Sequence, residues 1–398
     1  MDFQLSPEHE LIRESARKFA EQELLPGLAE RDREQRSDAE MLKKMAASSF
    51  LGVSLPAKYG GMDTDYISLG IVCEEFERID TSYRVVMSVH SGLHCLTLLQ
   101  WGTEEQKQRL LAPLASGQKV GAFGLTEPNA GSDAINIKTK AEKVGDEYLL
   151  NGQKTWISLS DYADQFLVIA GMDGAGGKQH VALIVDRTMN GFSSRPIKGK
   201  LGVRAGNTGE IFFDNVRVPV ANRIGDEGDG FKVAMSALDH GRYTVAAGSV
   251  GIIVACLEAS AAYANQRSVS GELIGKKQLV QQMIANMVSG RDIGRLLYQQ
   301  VGWMKNEGMR HTREVSMAKW QNCNFAFQAA HDAVEIHGAY GFCDEFPVER
   351  HFRNCRGAMI YEGTREIHTL VQAEYALGYR SDKPLKRTLP SWPFADDV

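Results

Sequence analysis

The 398-residue chain has no run of about 18 apolar residues, so nothing in it reads as a membrane span. It has no basic excess either. Lys and Arg number 45 against 50 Asp and Glu, a formal net charge of −5, which leaves no electrostatic footprint for nucleic acid. The six cysteines (73, 95, 256, 323, 343, 355) form no CxxC pair and read as free thiols of a reducing compartment. There is no GxGxxG and hence no Rossmann pyrophosphate signature. Gly174-Ala175-Gly176-Gly177-Lys178 lacks Walker spacing and reads as a hairpin turn. His90 and His94 stand at i and i+4, but no HExxH accompanies them, so a metal is not expected. No internal repeat of solenoid period is visible.

What is present is ordinary for a water-exposed globular chain: 43% hydrophobic and 24% charged residues, at a length that implies more than one domain. The start, Met1 to Pro7, leads directly into a helix capped by Ser6 with Pro7 in its first turn. It has the features of neither a signal peptide nor a transit segment. The expected location is therefore the bacterial cytoplasm or, for a mature eukaryotic chain, the mitochondrial matrix.

Residues 1–120 read as helical. Ile12, Ala16 and Phe19 recur at helical spacing and Pro26-Gly27 breaks the run. Pro56 to Gly61 is a loop, and helical runs follow from Tyr66 to Glu77 and from Val85 to Leu99. From Gly121 the texture changes to short β-branched and aromatic runs such as Phe166-Leu167-Val168-Ile169. Gly145-Asp146, Asn151-Gly152 and Asp214-Asn215 are read as turns between them. Helical spacing returns after Gly230, with Leu279, Met283 and Met287, then Leu297 and Val301, and continues to about Leu377. A tail with three prolines from Arg380 reads as a loose or docking extension. The expected division is a helical domain (1–120), a β domain (121–235) and a second helical domain with tail (236–398), an α+β multidomain fold.

Three segments carry candidate chemistry. The loop from Phe123 through Leu125, Thr126 and Asn129 to Ser132 offers backbone N–H groups and hydroxyls to a ring edge or a phosphate. Trp156-Ile157-Ser158 ends a strand and can present an aromatic face. Tyr361-Glu362-Gly363-Thr364 interrupts a helical pattern and places a carboxylate beside a glycine, where a ligand can approach closely. Singly, each is compatible with a surface turn, a core aromatic or a solvated loop.

Their joint order is more specific. FGLTEPNAGSD leads to NGQKTWIS, then to Gly202-Val203-Arg204 with Thr208, Val216-Arg217-Val218-Pro219, Arg267 with Gln278, His337 to Gly341, and Ile360 to Thr364. This series resembles the acyl-CoA dehydrogenase family over roughly residues 5–378. The resemblance implies an N-terminal helical domain, a β domain and a C-terminal four-helix domain, with FAD between the last two. It implies FAD contacts from Phe123, Leu125, Thr126, Ser132, Trp156, Ile157 and Ser158. Arg267, Ser270 and Gln278 would reach the FAD of a neighbouring subunit of a homotetramer. Glu335, Gly338, Ala339, Thr364 and Glu366 also match cofactor contacts. Ser132, Asp239, Arg242 and Gly363 match acyl-CoA contacts, and Glu362 matches the catalytic base. Three positions depart from the family pattern: Ser270 for Phe, Glu335 for Gln and Ala339 for Gly.

A narrower resemblance concerns the acyl group. The stretch Glu77 to Ser88, ERIDTSYRVVMS, is similar to glutaryl-CoA dehydrogenases, in which Arg and Ser hold the distal carboxylate. Cys323 after Asn322 and Ile367-His368 also resemble that subgroup. Arg suits such a role because its planar fork donates two parallel hydrogen bonds. The implied reaction is removal of the α-proton by Glu362 with hydride transfer to flavin, and electrons passed on to an electron-transferring flavoprotein. Glu77 and Tyr361 at the distal end imply decarboxylation to crotonyl-CoA. Four alternatives stay open: a structural Arg84 ion pair, a short-chain acyl-CoA dehydrogenase, an acyl-CoA oxidase, and a non-enzymatic acyl-CoA-binding paralogue.

Overall fold

A computed structural model describes residues 4–174 and 177–395. The first helix, Pro7–Phe19, begins as expected: the Ser6 hydroxyl accepts the His9 N–H at 3.2 Å, and the His9 ring accepts the Ser6 N–H. Gly27 breaks the run at φ 70°. Helix Tyr66–Ile79 ends because Asp80 is extended (φ −163°), and the Asp80 side chain then caps the next helix by accepting the Ser82 N–H at 2.8 Å. From there the chain is helical from Thr81 to Trp101, with a π-helical stretch Met87–Leu96 in the middle.

The central domain is one sheet of eight strands among the described residues: β1 Gly121–Gly124, β2 Lys140–Val144, β3 Glu147–Ser158, β4 Gln165–Gly174, β5 Gly177–Asp186, β6 Phe192–Pro196, β7 Thr208–Pro219 and β8 Arg223–Ile224. Seven run in the order β6-β7-β3-β2-β4-β5-β8, and β1 joins β4 in parallel, Gly121 opposite Gln165. Gly145-Asp146 is the expected tight turn, between Val144 and Glu147. Two other expected turns are corrected. Asn151-Gly152 and Asp214-Asn215 lie within β3 and β7, where the register slips between Leu150 and Gly152. This is a β-bulge: Gly152 takes φ 140° and Asn215 φ 53°, and the Asn151 side-chain oxygen accepts the Asn215 N–H at 2.8 Å. An Asn-Gly pair serves the bulge for the reason it serves a turn, a tolerance of positive φ. Of the Gly174 to Lys178 hairpin, residues 175 and 176 lie outside the described residues, while Gly174 pairs with Gly177.

Helices Gly230–Ala264, Gln278–Asn306 and Thr312–His337 form the C-terminal domain with the shorter Val348–Ala358 and Arg365–Ala376. The expected domain division at 235/236 falls inside the first of these. That helix is long and apolar enough, by length and composition, to cross a membrane, a property that the search for uninterrupted apolar runs passed over. Its most apolar window is 72% buried inside the fold, so here it is the core helix of the domain. One hydrophobic core runs through the N-terminal helices, the sheet and the first half of this helix; a second lies among the C-terminal helices. The tail docks: Tyr66 donates its hydroxyl to Pro390 O at 2.7 Å, and Trp392 N–H bonds Asn306 O at 2.8 Å. All six cysteines are free, and only Cys343 among them is exposed.

Candidate active site

The turn that carries Glu362 is built between helices Val348–Ala358 and Arg365–Ala376. Thr364 starts the second of these by accepting the Ile367 N–H at 3.3 Å. The two residues before it are left-handed, Glu362 at φ 55° and Gly363 at φ 100°. Gly363 is required twice over, since a Cβ there would also stand 2.9 Å from His368 Nε2. For Glu362 the conformation is strained, and it is held at the backbone. Arg242 Nε donates to Glu362 O at 3.1 Å, and Lys319 Nζ donates to Gly363 O at 2.7 Å.

The Glu362 carboxylate points inward. Ser88 donates its hydroxyl to Oε1 at 3.1 Å, while Oε2 is buried with no hydrogen-bond partner. Gly241 of the core helix makes the room, because a Cβ there would overlap Oε2. Burial pushes the carboxyl up from the ordinary Glu range, against the opposing pull of Arg84, Ser88, Lys319 and Arg242. A buried carboxylate of raised basicity with one oxygen free is equipped to accept a proton.

Next to it lies the second expected cluster. Arg84, 1% exposed, donates through Nε to Glu77 Oε2 at 2.6 Å and through its other arm to the Tyr361 hydroxyl. Its guanidinium stands over the Tyr361 ring, 5.4 Å from the centroid. Glu77 also accepts the Thr81 hydroxyl at 2.8 Å. Gly248, two turns after Gly241, again makes the room, since a Cβ would overlap Glu77 Oε2. Burial, helped by the nearby Glu77, Cys323 and Glu362, leaves the Tyr361 phenol well above its ordinary range, against the opposing pull of the Arg84 charge. Ser88 is buried beside this group but bonds Thr244 Oγ1 at 2.6 Å and the base, not Arg84. Asp239 pairs with Arg242 at 3.0 Å and accepts the Thr312 hydroxyl, which orients the arginine toward the base turn.

The segments that match cofactor contacts fall into two groups. In the first, the loop 123–132 is stapled to β3: Thr155 N–H bonds Thr126 O at 2.9 Å, and Lys154 Nζ bonds Leu125 O at 3.0 Å and Glu127 Oε1 at 2.7 Å. Glu127 also accepts the N–H groups of Lys138 and Thr139 at 2.6 and 2.9 Å. Burial favours its neutral form, but Lys154 and these donors outweigh it and hold the carboxyl low. Phe123, Leu125 and Ile157 are buried, Thr126 and Ser158 half-buried and Ser132 exposed. Trp156 is 59% exposed with φ 61°, at the register shift between Lys154 and Ile157. A large aromatic held open to the outside in left-handed backbone fits a residue that covers a planar ring, so this group suits a flavin.

The second group is exposed. Arg267, Ser270 and Gln278 lie on and beside the hairpin of Ser268–Val269 and Glu272–Leu273, and Glu335, Gly338 and Ala339 end helix Thr312–His337. Tyr263 and His337 stack at 4.4 Å and join the two places. The departures from the family pattern are accommodated. Ser270 takes φ 52° in the hairpin tip, Glu335 is solvated, and the backbone turns at Gly338 (φ 58°) and not at Ala339. Glu366 is exposed and paired with Arg365 at 3.0 Å.

His90 and His94 are occupied elsewhere. Both rings bond β1, His90 Nδ1 accepting the Gly121 N–H at 3.0 Å and His94 Nδ1 meeting Ala122 O at 2.8 Å. Asn322 braces helices by donating to Ala246 O and Gly294 O, and Cys323 packs against Ser249 and Ala358 O. His368 is buried against Ser316 at 2.9 Å. Reasoning from sequence missed Gly241, Gly248 and Lys319. The available signals were glycines seven residues apart in an apolar helix and a lysine on the apolar face of another.

A buried carboxylate of raised basicity on a strained turn, and a segment of the sheet domain that suits a flavin, fit a flavoprotein of the class its relatives define. The chain belongs to the acyl-CoA dehydrogenase family: models of that family's N-terminal, middle and C-terminal domains match residues 6–118, 122–216 and 228–377. Its short-chain specific relative from Clostridium acetobutylicum is 38% identical over 93% of this chain and 98% of that one. A glutaryl-coenzyme A dehydrogenase solved with glutaryl-CoA superimposes with TM-score 0.92 at 35% identity, covering 96% and 98% of the two chains. A Mycobacterium smegmatis glutaryl-CoA dehydrogenase in complex with FADH2 gives 0.89 at 31% identity, covering 95% and 97%. The protein is thus an oxidoreductase acting on CH–CH groups of acyl-CoA, with FAD as cofactor.

Proposed function

We propose that Glu362 removes the α-proton of the acyl thioester and that the acyl group is glutaryl, lost in part as CO2. The observation that carries the acyl assignment is Arg84, a buried guanidinium whose charge reaches the Glu362 carboxylate. A methyl-ended chain leaves it no new partner, whereas a carboxylate gains charge-assisted hydrogen bonds of about 1.5–3 kcal/mol. The Glu362 N–H, at the head of the strained turn, is the donor for the thioester oxygen as negative charge develops on it. Glu362 Oε2 takes the proton. FAD, held by the segments at 123–132 and 156–158, would supply the hydride acceptor for the β-carbon. The new double bond is conjugated to the thioester, and the carboxylate sits on the allylic γ-carbon, so loss of CO2 leaves a dienolate; its γ-carbon, beside Tyr361 and Glu77, takes back the proton that Glu362 holds.

Arg267 and Gln278, exposed at the far hairpin, complete a neighbour's FAD site in a homotetramer. An electron-transferring flavoprotein reoxidises the cofactor, in the cytoplasm or mitochondrial matrix. The test compares glutaryl-CoA with butyryl-CoA using an artificial electron acceptor, with products read by mass spectrometry. A higher kcat/KM for glutaryl-CoA with crotonyl-CoA and CO2 supports the reading; equal or reversed preference refutes it.

A second reading has its own observation. Glu77 already neutralises Arg84 at 2.6 Å, which lets the pocket stay closed around a short uncharged chain. A preference for butyryl-CoA would establish it.

A further inference from the structure

We propose that Lys319 is a positioning residue for the base, fixing the left-handed turn at Gly363 through its carbonyl and supplying a buried positive charge beside the carboxylate. The inference rests on Glu362 as base. It starts from an anomaly. Lys319 is 1% exposed, in the middle of helix Thr312–His337, with no acid at salt-bridge distance among the described residues; Gly363 O at 2.7 Å is its hydrogen-bond partner. Burying an ammonium without a carboxylate is costly, and burial accordingly pulls Lys319 below the ordinary lysine range; apolar residues of similar volume pack such a site more cheaply.

The geometry gives the charge a use. Glu362 and Gly363 are consecutive residues at positive φ, and each carbonyl is gripped by a cation from a different helix, Arg242 from the core helix and Lys319 from its neighbour. The two cations are not equivalent. Arg242 has Asp239 as a counter-charge at 3.0 Å. Lys319 has none so near; Glu362 is among the groups that stabilise its charge, and it in turn favours the ionised form of Glu362. Cys323, one turn along the same helix, favours the ammonium too, while Arg242 and Arg84 oppose it.

A purely structural lysine would affect stability and little else. A positioning lysine affects the ionisation of the base, and charge and shape can be varied separately. In the FAD-loaded enzyme, Lys319→Met is expected to lower kcat on the order of 100-fold and to move the acid limb of the kcat/KM profile to higher pH, because the carboxyl loses a nearby positive charge. Lys319→Arg, which keeps the charge and changes the reach, is expected to recover the position of the limb while kcat stays below the parent. Lys319→Gln serves as the neutral variant if Met does not fold. A folded neutral variant with an unmoved acid limb overturns the proposal, as does an Arg variant whose limb moves as far as that of the neutral one. Glu362→Gln is measured alongside. If it keeps its turnover, the reading of the base has failed; if it is inactive and the Lys319 variants are normal, only the role of Lys319 has failed.

Discussion

Glu127 and Glu362 both sit in Gly- or Pro-punctuated loops with their carboxylates inside the protein, and they are kept in opposite states. Glu127 has Lys154 and two backbone N–H groups on its oxygens, and its carboxyl is held low. Glu362 has one hydroxyl, one empty oxygen and a carboxyl pushed up by burial. A fully satisfied buried carboxylate is a clamp; an under-satisfied one is a reagent. The acid of loop 123–132 is spent on structure, whereas at the turn 360–364 the neighbours hold the backbone and leave the carboxylate available.

The comparison breaks at once if the reagent can be replaced. Glu362→Gln keeps the shape and cannot take a proton, so turnover is expected to fall about 1,000-fold or more, ~4 kcal/mol. Turnover within tenfold of the parent in a standard acceptor assay would dismiss Glu362 as base.

The clamp is next. Glu127→Ala strands Lys154 in the interior, at an expected cost of about 3 kcal/mol in thermal or denaturant unfolding, with weaker FAD retention. The sign of its pH dependence follows from the lowered carboxyl. The contribution is fully present above the ordinary Glu value of 4.5 and is lost as pH falls through the folded-state value. The parent should release flavin on acidification more steeply than Glu127→Gln. Parallel release curves would contradict the clamp.

Gly241→Ala tests the room left for the reagent. The added methyl overlaps Oε2, so kcat is expected to drop about 100-fold by displacement of the base. An unchanged kcat would mean that the carboxylate works from elsewhere. Smallest is Ser88→Ala, which removes the donor to Oε1. Turnover should stay within about tenfold, with the acid limb of kcat/KM at higher pH, because the ionised carboxylate loses a hydrogen bond. A limb shifted to lower pH would put Ser88 with the substrate instead.

The helical, β, helical order was legible because it has a local signature, the change of texture at Gly121, and the buried turn at Glu362 was legible as a carboxylate next to a glycine where a helix stops. The Asn-Gly pair at 151 misled because positive φ is a property of bulges as much as of turns. The long core helix escaped the membrane test because interspersed glycines, serines and threonines hide an apolar average from a search for unbroken runs. Gly241 and Gly248 were illegible as site residues, since what they contribute is an absence of side chain facing residues more than a hundred positions away. Ser88 was expected at the distal carboxylate from the resemblance of residues 77–88 to glutaryl-CoA dehydrogenases; the helix carries Arg84 and Ser88 inward together, toward different partners.

The docked tail has a consequence for how the chain is made. Tyr66, which opens a helix of the first domain, donates to Pro390 and meets the ring of Phe394 at 5.9 Å. Asn306 accepts the Tyr66 N–H and gives its own carbonyl to Trp392. Synthesis runs from the N-terminus, and domains ordinarily fold as they emerge. Here the first helical layer waits for residues 390–394 to be made before its final contacts close. A C-terminal fusion or a premature stop near residue 385 thus bears on the folding of the beginning of the chain, not of its end.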